Sequence, residues 1–202
     1  MSRRTATREL IRRVLKEDYL ELRIARYALS EDLAAGQPAR VAVDLVTGAE
    51  SGLPVAIEGA GVGIVDALYS GMHAHYAREY GSLRTIKFTG FDVTGRMETG
   101  RDNRGADAEA VVSLTVENSE GLRFEFEEAH RSLVAASLKV VIDAIEYFIN
   151  SERAFIAVYR ALCDAKERRR IDLVSTFTAQ LAELVNTTSY TEVIDRIKSE
   201  TL

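Results

Sequence analysis

Few side chains in these 202 residues are of a type and spacing that could do chemistry. His73-Ala74-His75 has the form of a metal-binding H-x-H pair. It lies inside a run with helical spacing, however, where residues i and i+2 do not face one another. The two rings diverge, and no metal site is expected. Cys163 is the single cysteine, so neither an intramolecular disulfide nor a multi-cysteine metal site can form. No nucleophile elbow of the G-x-S-x-G type, P-loop or H-E-x-x-H occurs. Glu127-Glu128 falls at a strand end, where neighbouring side chains point to opposite faces, which separates the two carboxylates. Lys166-Glu167-Arg168-Arg169-Arg170 is short, lacks interleaved aromatics and reads as a solvated helix face. No catalytic residue and no cofactor are therefore assigned. An enzyme using the glycine elbow described next as an anion site, with His130 or Glu127 nearby, is the least favoured reading.

The most informative local feature is Gly59-Ala60-Gly61-Val62-Gly63, followed directly by a helical run through Ile64, Val65, Leu68, Met72 and His75. Alternate glycines let the backbone approach a ligand or another chain closely. Free N–H groups at the helix start suit an anion such as a carboxylate. Asp66, in the first turn, either stabilises the helix dipole or pairs with a ligand ammonium. A carboxylate on the N–H groups of Gly61 to Ile64, and an aliphatic group among Val65, Leu68 and Phe88, would together suit a zwitterion.

The elements that must position this elbow repeat. Sliding the sequence by 69 residues brings 36–76 onto 105–145 without a gap, with ten of 41 positions identical. Among them are Gly36/Gly105, Ala39/Ala108, Val43/Val112, Leu45/Leu114, Glu58/Glu127, Ala60/Ala129, Val65/Val134 and Ala67/Ala136. In the first copy Leu20, Leu22 and Ile24 alternate with Glu21, Arg23 and Ala25, Val41, Val43 and Leu45 repeat the pattern, and Leu53, Val55 and Ile57 make a third strand after a turn at 48–52. The second copy places strands near 83–93, 108–117 and 121–128 and a helix near 131–149. Each half is thus β-β-β-α. The fold class is α+β, with antiparallel strands and helices on one face. The organisation expected is an N-terminal helical arm over 1–17, a duplicated domain over 18–150 (repeats about 18–80 and 83–150) and a helical extension over 151–202. That extension should break near 170–172 and again near 186–190.

Composition fits this reading. The chain is 47% hydrophobic and 28% charged, as expected of a packed globular protein. A net charge of −5 disfavours nonspecific nucleic-acid binding. No stretch reaches the roughly 18–20 apolar residues of a membrane span, and the charged start MSRRTATREL lacks the core of a secretory signal. A cytoplasmic location is expected.

In order and spacing, the motifs resemble the C-terminal regulatory domain of the 2-isopropylmalate and citramalate synthases over about residues 18–150. Gly59-Ala60-Gly61-Val62-Gly63-Ile64-Val65-Asp66-Ala67 is similar to the family's G-x-G-N-G-P-V-D-A. Ile86-Lys87-Phe88 is similar to an L-x-Y strand, Gly105-Ala106-Asp107-Ala108 to G-x-D-A, and Ser132 to Ser137 to the start of the second helix. Val62 replaces the usual Asn, Ile64 the usual Pro and Phe88 the usual Tyr. The resemblance implies a homodimer that binds leucine or isoleucine near the dimer interface. Val65, Asp66, Phe88, Asp92 and Ala108 would then lie by that pocket, beside Gly61, Gly63, Ile64 and Leu68. Family members are acyltransferases through a separate barrel of about 250 residues. This chain has no room for one, so a regulatory role on a separate catalytic subunit, or as a free sensor, is implied. The alternative is a structural scaffold whose effector pocket has closed.

Overall fold

The computed structural model describes residues 3–48, 54–97, 108–185 and 187. It is an α+β protein in which two three-stranded antiparallel sheets share one long helix. Helix α1 (Arg3–Leu15) precedes β1 (Leu22–Ser30), β2 (Ala39–Thr47), β3 (Val55–Gly61) and α2 (Ile64–Tyr76). A 3-10 turn (Gly81–Arg84) leads into β4 (Lys87–Met97), β5 (Ala108–Glu117), β6 (Arg123–His130), α3 (Leu133–Glu167) and α4 (Ile171–Leu184). The strand expected over 83–93 therefore begins later. Leu83 is buried within the 3-10 turn, and the extended backbone starts only at Lys87. Helix α3 runs unbroken past residue 150, where the sequence reading ended the duplicated domain. It closes at 168–170, where Arg169 adopts a left-handed φ of 55°. Most of 186–190, the second expected break, lies outside the described residues.

Strand order in each sheet follows the chain, β1-β2-β3 and β4-β5-β6. A bulge in each first strand marks the duplication. Ile24 opposes Leu45 and Arg26 opposes Asp44, leaving Ala25 extra. Phe88 opposes Val116 and Gly90 opposes Thr115, leaving Thr89 extra. The bulge makes Ile24 equivalent to Phe88, and Leu45 to Val116. The second hairpin agrees, since Val43 opposes Ile57 while Leu114 opposes Phe126. Gap-free register holds from β3 into α2, where Gly61 matches His130 and Ile64 matches Leu133. In β2 it is two residues off, because the second hairpin connection is two residues shorter. Side chains in a strand alternate faces, so a two-residue slip keeps apolar residues inward and preserves the identities. Val43/Val112 and Leu45/Leu114 are matches of pattern, not of place.

Helix α2 covers β2 and β3, and α3 covers β5 and β6. α3 also packs against α1, α2, α4, β1 and the 3-10 turn. At 35 residues it is about 52 Å long. Val41, Val43, Leu45, Leu68, Met72, Leu114, Phe126, Val141, Ile145 and Phe148 form the continuous core between these layers. Among the described residues, no helix is long and apolar enough to cross a membrane.

Candidate functional site

At the elbow, the backbone approached by the glycines is the molecule's own helix. A Cβ on Gly59 would meet the Ala67 carbonyl oxygen at 2.0 Å, and one on Gly61 would meet the Ala67 nitrogen at 2.5 Å. One on Gly71 would meet the Glu58 carbonyl at 2.7 Å. Three small residues thus let α2 lie directly on β3, and that space is filled. Asp66 accepts the Val62 N–H at 2.9 Å, so its carboxylate closes the elbow from the helix side. Gly63, the N-cap, is open, with nothing within 4 Å of where its Cβ would stand. Ile64 and Val65 are half-buried, while Leu68 belongs to the core.

Phe88 comes to the elbow through Tyr69. Their ring centroids lie 4.4 Å apart at 47°, and the Tyr69 hydroxyl donates to the carbonyls of Leu83 and Ile86 at 3.4 and 3.3 Å. Asp92 and Ala108 do not join this group. Asp92 is exposed, opposite Ser113 on the face of the sheet away from α3. Ala108 pairs with Met97, nine positions along β4 from Phe88, which is about 30 Å of strand.

The other chemistry-bearing residues are dispersed. His73 rests against Tyr69 with ring centroids 5.7 Å apart, and His75 against Tyr76 at 4.6 Å. Among the described residues, no group of histidine, cysteine or carboxylate side chains is placed to hold a metal. Glu127 and Glu128 point to opposite faces of β6, opposite Ser113 and Val112. His130 Nδ1 accepts the Ser132 N–H at 2.9 Å. In the basic run, Arg168 pairs with Asp164 at 2.8 Å and Arg170 with Asp172 at 3.0 Å, so two cations serve the turn between α3 and α4.

Sequence reasoning missed a line of polar residues inside α3. Glu152, fully buried, accepts the N–H groups of Gly81 and Ser82 at 3.3 and 2.9 Å and the Ser82 hydroxyl at 2.7 Å. Asn150 grips the backbone of Leu20, accepting its N–H at 2.9 Å and donating to its carbonyl at 2.7 Å. Glu146 accepts the Leu22 N–H at 2.9 Å and the Tyr19 hydroxyl at 2.8 Å. Burial raises the Glu146 carboxyl above the ordinary carboxylate range, against the lowering effect of these two donors. α3 therefore holds the segments leading into both β1 and β4. The signal in the sequence was the polar trio within Ile145-Glu-Tyr-Phe-Ile-Asn-Ser-Glu152, where an apolar stripe alone would not need it.

Beside this line, between β1, β6 and α3, opens a cavity of about 430 Å³. Arg23, Ile24, Glu128, Lys139, Asp143 and Glu146 line it. Asp143 is held by Arg8 of α1, whose Nη2 lies 2.7 Å from both carboxylate oxygens. The Arg8 guanidinium also sits 5.6 Å from the centre of the Tyr147 ring. Burial, then the nearby Asp143 charge, raises the Glu128 carboxyl. A second cavity, of about 460 Å³, lies over the outer end of the first sheet by Leu29, Arg40 and Glu58.

Scanned against protein-family models and searched against curated proteins, the chain gives no match.

Proposed function

We propose that this chain is a non-catalytic regulatory module that binds a branched-chain amino acid and dimerises, acting on a separate catalytic subunit or as a free sensor. In this it would resemble the regulatory domain of the 2-isopropylmalate synthases. The observation that carries the reading is the duplicated β-β-β-α frame, with a bulge at the same place in each first strand and a strand-to-helix elbow at the end of each third. A second observation supports dimerisation. Tyr27 and Leu29 on β1, and Phe91 and Val93 on β4, occupy equivalent places on the core-side faces of their sheets. They remain 39, 41, 42 and 48% exposed, beyond the reach of α2 and α3. A second copy would cover both pairs at once.

The test has two arms. Light scattering on the purified chain should give a dimer, and Leu29→Asp with Val93→Asp should give a folded monomer. A thermal-shift screen over the twenty amino acids should single out leucine, isoleucine or valine. Ligand at 100 times its Kd stabilises by about 2.7 kcal/mol, roughly 2–4 °C in Tm at this size. The filled space at Gly59 and Gly61 favours a second reading, a scaffold whose elbow no longer admits a ligand. A flat screen from a stable dimer would decide for the scaffold.

A further inference from the structure

We infer that the effector of this module binds in the cavity between the two halves, against Glu128 and Lys139, and not at the glycine elbow. The inference rests on the effector reading above and names its site and ligand chemistry. At the elbow, α2 already fills the space beside Gly59 and Gly61, and Asp66 is engaged with Val62. The equivalent position in the second half is different. There Glu128 stands where the first half has Gly59, and Val140 stands where it has Gly71. A helix cannot settle on such a strand as closely, and the cavity of about 430 Å³ opens beside Glu128. Its volume is within the range of small-molecule sites, about 300–1,000 Å³.

The lining selects a zwitterion. Asp143 is paired with Arg8, and Glu146 is occupied by Tyr19 and Leu22. Arg23 donates to the Gly48 carbonyl at 2.6 Å. Glu128 and Lys139 have no hydrogen bond or ion pair among the described residues, and both line the cavity. The positive charges of Lys139, Arg8 and His130 lie near Glu128 and oppose the rise of its carboxyl, but none is bonded to it. One carboxylate and one ammonium thus face the cavity without a bonded partner, each open to the opposite charge of a ligand. Leu22, Ile24 and Ile142 supply an aliphatic wall between them. A free α-amino acid with an aliphatic side chain satisfies all three features. Because β1 belongs to one half and β6 to the other, such a ligand would touch both sheets and the helix that joins them.

The experiment is calorimetric titration of the full chain with the twenty amino acids. The best binder is then compared with its analogues lacking one charge, for leucine 4-methylpentanoate and 3-methylbutylamine. Each analogue should bind at least 10-fold more weakly. Glu128→Gln and Lys139→Gln, both folded by circular dichroism, should each weaken the amino acid at least 10-fold, while Gly63→Ser at the elbow should leave it unchanged. Undiminished binding by Glu128→Gln and Lys139→Gln would overturn the cavity and leave the effector reading standing. So would a loss confined to Gly63→Ser. Absence of binding by all twenty amino acids at millimolar concentration would overturn both.

Discussion

The two halves of this molecule hold a helix on a sheet in opposite ways. In the first, Gly59, Gly61 and Gly71 let β3 and α2 meet backbone against backbone at Ala67 and Glu58. In the second, Glu128 and His130 stand at the matching strand positions, and Val140 replaces Gly71. There α3 is positioned further along its length, by Glu146, Asn150 and Glu152 gripping the segments that lead into β1 and β4. A duplicated frame with shared strand order can therefore close one interface completely and leave its counterpart open. The first copy closes backbone on backbone, and the second borders a charged cavity.

The contrast is broken most directly by matched substitutions. Gly59→Ala places a methyl group on backbone atoms that cannot yield without moving α2, and should cost about 3 kcal/mol or more. Glu128→Ala at the equivalent position should change stability by no more than about 0.5 kcal/mol in urea unfolding. Equal losses would sink the idea that the halves pack differently. Next in size is Glu152→Ala, which strands three donors in a fully buried site and should cost about 3 kcal/mol or slightly less. Hydrogen exchange in that variant should quicken first at Gly81 and Ser82.

Glu146→Gln sharpens the electrostatic side. An acid whose folded pKa is raised holds its proton longer in the native state, so its ionisation weakens folding as pH rises above the ordinary value of 4.5. Wild type should therefore lose stability relative to Glu146→Gln between pH 4.5 and neutrality. Parallel stability curves would contradict this. Smallest is the exchange of caps. Ser132 caps α3 by accepting the Ala135 N–H at 3.3 Å, whereas Gly63 gives α2 no side-chain cap. Ser132→Ala should cost about 1 kcal/mol and Gly63→Ser should gain a few tenths.

Alternation was enough to read the strands, because Val41, Val43 and Leu45 face a core and their neighbours do not. The duplication was legible for the same reason, but its register was not. A slip of two residues changes nothing that alternation can see, and only the bulges at Ala25 and Thr89 fix the correspondence. The glycines at 59 and 61 announced a close approach without saying to what. A missing side chain carries no record of its neighbour. Glu146, Asn150 and Glu152 escaped notice because most of their partners are backbone groups, among them ones 124, 130 and 70 positions away. Backbone groups have no residue type to recognise. Glu128 was legible only as a strand-end carboxylate, and Lys139 as an ordinary surface residue, because the cavity they line forms only where β1 meets α3.

The long reach of Asn150 also bears on how the protein is made. Leu20 leaves the ribosome 130 residues before the side chain that satisfies it, an interval on the order of ten seconds at typical elongation rates. The hairpins of the first sheet are local and can pair as they emerge, but the segment ahead of β1 must wait with its amide and carbonyl unmatched. Until α3 is translated, the nascent chain exposes the face that this helix will cover. Its final assembly is therefore bound to come late, after α3 has been made.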